Sequence, residues 1–133
     1  MPGARRFEDL IAWQRGHELH TEIWKACERP TVNRDFKFRD QIRDASESVA
    51  RNVAEGFGRF SPAQFLNFLD ISRASALETQ SLLKKSLDVG YWEEEEFARL
   101  HRLATRAVQS IAGFQRYLRS SRARKNAARA RDR

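Results

Sequence analysis

Apolar residues recur along the chain at helical intervals and sort it into four amphipathic segments. In the first, from about Glu8 to Glu28, Leu10, Trp13, His17, His20, Trp24 and Cys27 alternate at spacings of three and four. Ala12, Leu19 and Ile23 widen that face to the breadth expected of a bundle helix. Pro30 and Asn33 predict a loop. The second segment runs from Asp35 or Phe36 to Glu55, with Ile42, Ala45, Val49 and Val53 as its buried stripe. Gly56 and Gly58 predict its end, with Gly56 as the cap and Phe57 and Phe60 folded back onto the helices. Ser61 as N-cap, Pro62 in the first turn and Gln64 in a capping box open the third segment, which Gly90 stops after Val89. The fourth starts in Glu93, Glu94, Glu95 and Glu96, which suit the positive end of a helix dipole. It continues through Phe97, Leu100, Leu103, Ala104, Ala107, Ile111, Phe114 and Leu118. No alternating β-branched run predicts a strand. Short connections between four such segments predict an all-α, antiparallel up-down-up-down four-helix bundle over residues 1–118.

Two departures from simple amphipathicity carry more information. Beside the apolar stripe of the second helix, Gln41, Ser48, Asn52 and Glu55 form a polar stripe at spacings of 7, 4 and 3. With Glu78 they make a structural polar motif, a specified hydrogen-bonded contact within the bundle or between subunits. In the third helix, Phe65, Leu66, Phe68, Leu69 and Ile71 cover most of the circumference, and Ala74, Ser75 and Ala76 permit close helix approach. A helix apolar on several sides needs more than one partner surface. In so small a domain, the second surface points to another copy of the chain.

Composition alters the picture mainly through where the charge lies. The chain has 133 residues and a formal net charge of +7. Residues 119–133 hold Arg119, Arg122, Arg124, Lys125, Arg129, Arg131 and Arg133 against Asp132, a net +6. The remaining body is therefore almost neutral. That terminal segment lacks the apolar residues that would hold it on a core, so it is expected to be a disordered basic tail that orders on a polyanion. No apolar run approaches the ~20 residues of a membrane span. Glu8 and Asp9 interrupt what would be a signal peptide's apolar region. Cys27 is the single cysteine, so an intrachain disulfide is excluded and a cytoplasmic location is the expectation.

The run Gln41-Ile42-Arg43, Ser48-Val49, Asn52-Val53-Ala54-Glu55-Gly56, Arg59, Phe65 and Phe68-Leu69 resembles the four-helix-bundle proteins encoded in bacterial 23S rRNA intervening sequences. The opening Phe7-Glu8-Asp9-Leu10-Ile11-Ala12-Trp13-Gln14 and the later Glu78 and Leu87-Asp88-Val89-Gly90-Tyr91 extend the resemblance over about residues 7–118. It implies a homo-oligomeric bundle, a homopentamer, with a role around nucleic acid. The accessory proteins of diversity-generating retroelements look similar, and they act with a reverse transcriptase and nucleic acid. Arg73 departs from the resemblance, standing where the family more often has a small-residue pattern. The basic tail lies beyond the shared region.

Candidate chemistry narrows the function classes. Glu55 and Glu78 lack a paired base or a nucleophile motif, so no catalytic residues are assigned and no enzyme is expected. His17, His20 and Cys27 lack the convergent cluster a metal needs, so neither metal nor cofactor is expected. Gly56-Phe57-Gly58 lacks the strand and the Gly-Lys ending of a phosphate loop. The expected function is nucleic-acid binding, RNA favoured over DNA, through Arg51, Arg59, Arg73, Arg119, Arg122, Arg124, Lys125, Arg129, Arg131 and Arg133. The tail has no aromatic residue, so base stacking there is not expected. The competing reading is a protein-interaction scaffold that recruits a nucleic-acid enzyme such as a reverse transcriptase.

Overall fold

A computed structural model describes the backbone of residues 4–131 and the side chains of residues 4–121. The chain is helical throughout, and no strand occurs among the described residues. A 3-10 turn, Phe7–Asp9, leads into α1 (Ile11–Ala26) and the single-turn α2 (Pro30–Asn33). The long helices α3 (Phe36–Phe57), α4 (Pro62–Val89) and α5 (Glu94–Arg131) follow. Asp35 caps α3 by accepting from the Phe38 amide at 3.2 Å, and Ser61 caps α4 by accepting from Gln64 at 3.4 Å. Gly90 closes α4 in the left-handed region at φ 71°, where a side chain would be strained.

Helix α1 packs on α3 and α5, α3 on α4, and α4 on α5. Gly16 lies against Val49 and Ala50 while Trp24 lies under Arg43. Gly56 meets Phe65 while Ser48 meets Ser75. Asp70 meets Gln115 while Gln80 meets Thr105. Leu19, Ile23, Ile42, Leu69, Leu83, Leu100 and Ile111 fill the centre and are fully buried.

One end of the molecule is tied by an aromatic and hydrogen-bonded cluster. The Trp92 indole donates to the Ala26 carbonyl at 2.8 Å, Thr31 donates to the Tyr91 carbonyl at 2.7 Å, and the Tyr91 hydroxyl donates to Asp35. That last bond, followed by the bond from the Phe38 amide, holds the Asp35 carboxyl below its ordinary range, while Asp35 raises the Tyr91 phenol. The segment Pro30–Asn33, expected as loop, is a helical turn because Pro30 occupies its first position and Val32 is buried beneath it.

Three further sequence expectations change. The buried face of α1 is Ala12, Gly16, Leu19, Ile23 and Ala26, so Ala12, Leu19 and Ile23, expected at the edge of the apolar face, form its centre. Leu10 and Cys27 are buried as expected. Trp13 and His20 are only partly covered, His17 is exposed, and Trp24 is 47% exposed. This face brings Gly16 onto the α3 backbone, an approach that a Trp or His at that position would block. Phe60 does not fold back but is fully exposed, whereas Phe57 packs edge-on against Phe65 at 6.4 Å. Gly56 does not end α3. The helix continues through it to Phe57.

The reason for Gly56 is packing. A Cβ there would sit 2.6 Å from Phe65 Cδ1 and 2.9 Å from Phe68 Cβ. Gly56→Ala therefore sets about 1 kcal/mol of gained helix propensity against about 1–3 kcal/mol of overpacking. Because one of the two contacts is a Cβ that cannot swing aside, overpacking should win. A urea melt should show lower stability for the alanine variant; higher stability would contradict this account of the α3–α4 contact.

Candidate nucleic-acid interface

The polar stripe of α3 divides when it is placed in three dimensions. Asn52 is buried and donates its amide to the Ser48 carbonyl and hydroxyl oxygens, both at 2.8 Å. The Ser48 hydroxyl lies 2.8 Å from that of Ser75 on α4. Deeper in the same seam, Ser72 donates to the Val49 carbonyl at 2.7 Å. Gln41, Glu55 and Glu78 are exposed and stand outside this network. The structure thus brings Ser48 and Asn52 together and adds Ser75 and Ser72, which the linear pattern did not include. These contacts satisfy buried polar groups and fix the α3–α4 register. None pairs a base with a nucleophile.

The α1–α3 seam holds a second polar group. The Arg43 guanidinium lies 3.8 Å from the Trp24 ring centre and donates to the Trp24 carbonyl at 3.1 Å. His20 Nδ1 lies 3.2 Å from the Ser46 hydroxyl, and His17 stacks on Trp13 with ring centres 4.7 Å apart. Cys27 is sealed in the core, and burial pushes its thiol up to about 11, which leaves little thiolate near neutrality. These histidines and the cysteine do not converge. Among the described residues, no group of three or more His, Cys, Asp or Glu is arranged to hold a metal.

Burial lowers the pKa of His20 and of His101. For His20, Glu47 opposes this, while His17 and Arg43 reinforce it. A folded-state histidine pKa below 6.5 means that the unfolded chain binds more protons just below that pH. Stability should therefore fall as pH drops from about 7.5 through 6.5, then level off below the folded-state pKa. Urea midpoints across that range should show the decline, and His20→Gln should reduce it. An unchanged pH dependence in that variant would exclude His20 as a contributor.

The arginines nominated from the sequence are not equivalent. Arg51 pairs with Glu47 at 3.2 Å, and Arg73 pairs with Asp70 at 3.7 Å. Arg59 lies over the Phe68 ring at 4.9 Å. Arg119 is exposed on α5. The side chains of Arg122, Arg124, Lys125, Arg129 and Arg131, and the whole of Arg133, lie outside the described residues. The α5 backbone is helical through the expected boundary at residue 118 and on to Arg131.

The profile of the 23S rRNA-intervening sequence protein family matches residues 8–113. The chain belongs to that family. A similar solved structure is that of a protein of unknown function from the S23 ribosomal protein family of Bacteroides thetaiotaomicron. It superposes with a TM-score of 0.74 at 20% identity, covering 80% of this chain and 96% of the other. At that identity the likeness concerns the fold. No curated protein matches the chain. Within the 23S rRNA-intervening sequence family member described here, no helix among the described residues is long and apolar enough to cross a membrane.

Sequence reasoning passed over two features of α5. Gln115 is buried and donates to Asp70 at 2.6 Å, tying α5 to α4. Arg102, Arg106 and Arg116 are exposed on the side of α5 opposite Leu100, Ala104, Ala107 and Ile111. The 3.6-residue period of the buried stripe contained the signal, because it defines an outer face as well as an inner one.

Proposed function

We propose that this protein is a non-enzymatic, homo-oligomeric member of its family that binds nucleic acid, with RNA favoured, through its basic C-terminal region. The subunit in this reading is an up-down-up-down four-helix bundle working in the cytoplasm, and the assembly is a homopentamer. The observation that carries the reading is the segregation of charge: a net +6 in residues 119–133 beside an almost neutral body. Such a concentration of charge binds a phosphate backbone without reading its sequence. Five copies would gather about +30, so weak individual contacts would add through avidity. The family's description names 23S rRNA intervening sequences, and RNA is accordingly the partner to test first.

Half-exposed Ile71 and Leu77 on α4 support the second reading, a scaffold that recruits a nucleic-acid enzyme such as a reverse transcriptase. Filter binding of RNA across a salt series, with and without residues 119–133, decides between them. Retention that falls with salt and depends on the segment supports RNA binding. Equal and negligible retention for both chains overturns it and leaves the scaffold reading.

A further inference from the structure

We infer that the outer face of α5 within the folded body is itself a binding surface for the phosphodiester backbone of nucleic acid, with Arg102, Arg106 and Arg116 as its phosphate contacts. The inference deepens the proposed nucleic-acid reading and rests on it, but it locates the contact on residues outside the terminal segment.

Ion pairing separates these arginines from most others on the surface. Arg6, Arg15, Arg29, Arg39, Arg51, Arg73 and Arg99 each lie within 4.0 Å of a carboxylate. Arg102, Arg106 and Arg116 form no such pair among the described residues, and all three are exposed. Arg102 and Arg106 also stand at i, i+4, where like charges repel each other across one helical turn. A face maintained only for solubility would gain from interspersed carboxylates, as α3 does with Glu47 and Arg51. From Arg102 to Arg116 the α5 face carries no Asp or Glu at any position.

The elements beside α5 do not neutralise this face. On α4, Asp70 is taken up by Gln115 and Arg73, and exposed Glu78 and Asp88 form no ion pair with α5 among the described residues. On α1, Glu22 is taken up by Arg99 and Lys25, and Glu18 by Arg15. Arg102 lines a recess with Glu95 and Glu96 but lies within 4.0 Å of neither carboxylate, and Glu96 is taken up by Arg29 and Arg99. Among the described residues the three guanidinium groups therefore have no ion-pair partner, and they are complementary to a polyanion. At about 1.5 Å rise per residue, Arg102 and Arg116 are spaced roughly 21 Å apart along one helix. That distance spans several phosphates of one strand. The same helix then leads into the basic terminal segment, so one strand can follow α5 from the body onto residues 119–133.

The test uses the full chain and a fluorescent 20-nucleotide RNA, single-stranded in one arm and annealed to its complement in the other. The triple variant Arg102→Gln/Arg106→Gln/Arg116→Gln should keep its helical circular dichroism and its melting transition. Removing three phosphate contacts should make the slope of log K against log salt shallower by about 2 for the single strand. Arg102→Lys/Arg106→Lys/Arg116→Lys should restore the slope, because point charges suffice. Arg6→Gln/Arg15→Gln, which removes two ion-paired arginines, should leave the slope unchanged. If the duplex arm shows the larger loss, the surface takes paired rather than single strands and the inference stands. An unchanged slope in the triple variant, with parental RNA binding intact, overturns the α5 site and spares the general RNA reading. No RNA binding by the parent overturns both.

Discussion

Phe38→Ala should cost about 3–5 kcal/mol of unfolding free energy, the usual range for emptying a buried aromatic site. Phe38 is 2% exposed and stands near the start of α3. Its ring meets Tyr91 edge-on at 5.0 Å and Trp92 at 6.1 Å, so it joins α3 to the turn between α4 and α5. Collapse of the site is opposed from both sides. Trp92 is fixed by its bond to the Ala26 carbonyl, and Tyr91 by its bond to Asp35. The cavity should therefore persist, which places the loss toward the upper part of the range. For a domain of this size it should lower the melting temperature by roughly 10–20 °C. Phe38→Leu keeps most of the volume and should recover most of the loss. Equal losses for alanine and leucine would mean that aromatic contact geometry, rather than filled volume, holds this end together.

The elements that sequence reasoning located best are those whose signals are local. Helix α4 begins at Pro62 and ends at Val89 as expected, because Ser61, Pro62 and Gly90 act on backbone groups within a few residues. Gln64 contributes its backbone amide to the Ser61 cap and not the side-chain bond of a capping box. The same logic failed at Gly56, where the local signal said stop and a tertiary contact had the deciding role. A glycine that lets Phe65 approach looks, in one dimension, like a glycine that ends a helix. The centre of the α1 face was displaced for a related reason, although Ala12, Leu19 and Ile23 were read correctly as apolar and buried. Trp and His count as apolar in a periodicity count, yet Trp24 meets the Arg43 guanidinium and His17 reaches solvent.

The candidate site was legible to the extent that it was local. The Ser48–Asn52 bond follows from i, i+4 spacing, but Ser75 is 27 positions from Ser48 and could not be read from α3 alone. Gln115 meets Asp70 across 45 positions. Local spacing also held information against two nominated residues. Glu47 precedes Arg51 by four and Asp70 precedes Arg73 by three, the separations at which helical side chains neutralise each other. Those two arginines therefore bring less free charge to a polyanion than their count implied. Arg102, Arg106 and Arg116 bring more.

Deleting residues 119–133 should remove most of the affinity for RNA and most of its dependence on salt. If about six cations of the segment contact single-stranded phosphates, they contribute about −4 to the slope of log K against log salt. Between 50 and 200 mM salt, that part alone corresponds to a roughly 300-fold loss of affinity. The arginines on the outer face of α5 would add a further slope of about −2, which the truncated chain should retain. Truncation and the α5 substitutions should thus act on separable portions of one curve, and combining them should leave little salt dependence. Leu118, the last buried apolar residue of α5 among the described residues, remains in the truncated chain, so its melting transition should change little. Replacing the seven basic residues by glutamine gives a length-preserving control. A glutamine chain that binds as the parent does would show that helix length, rather than charge, had made the contact. A truncated chain that keeps the full parental slope would place the contact in the body alone.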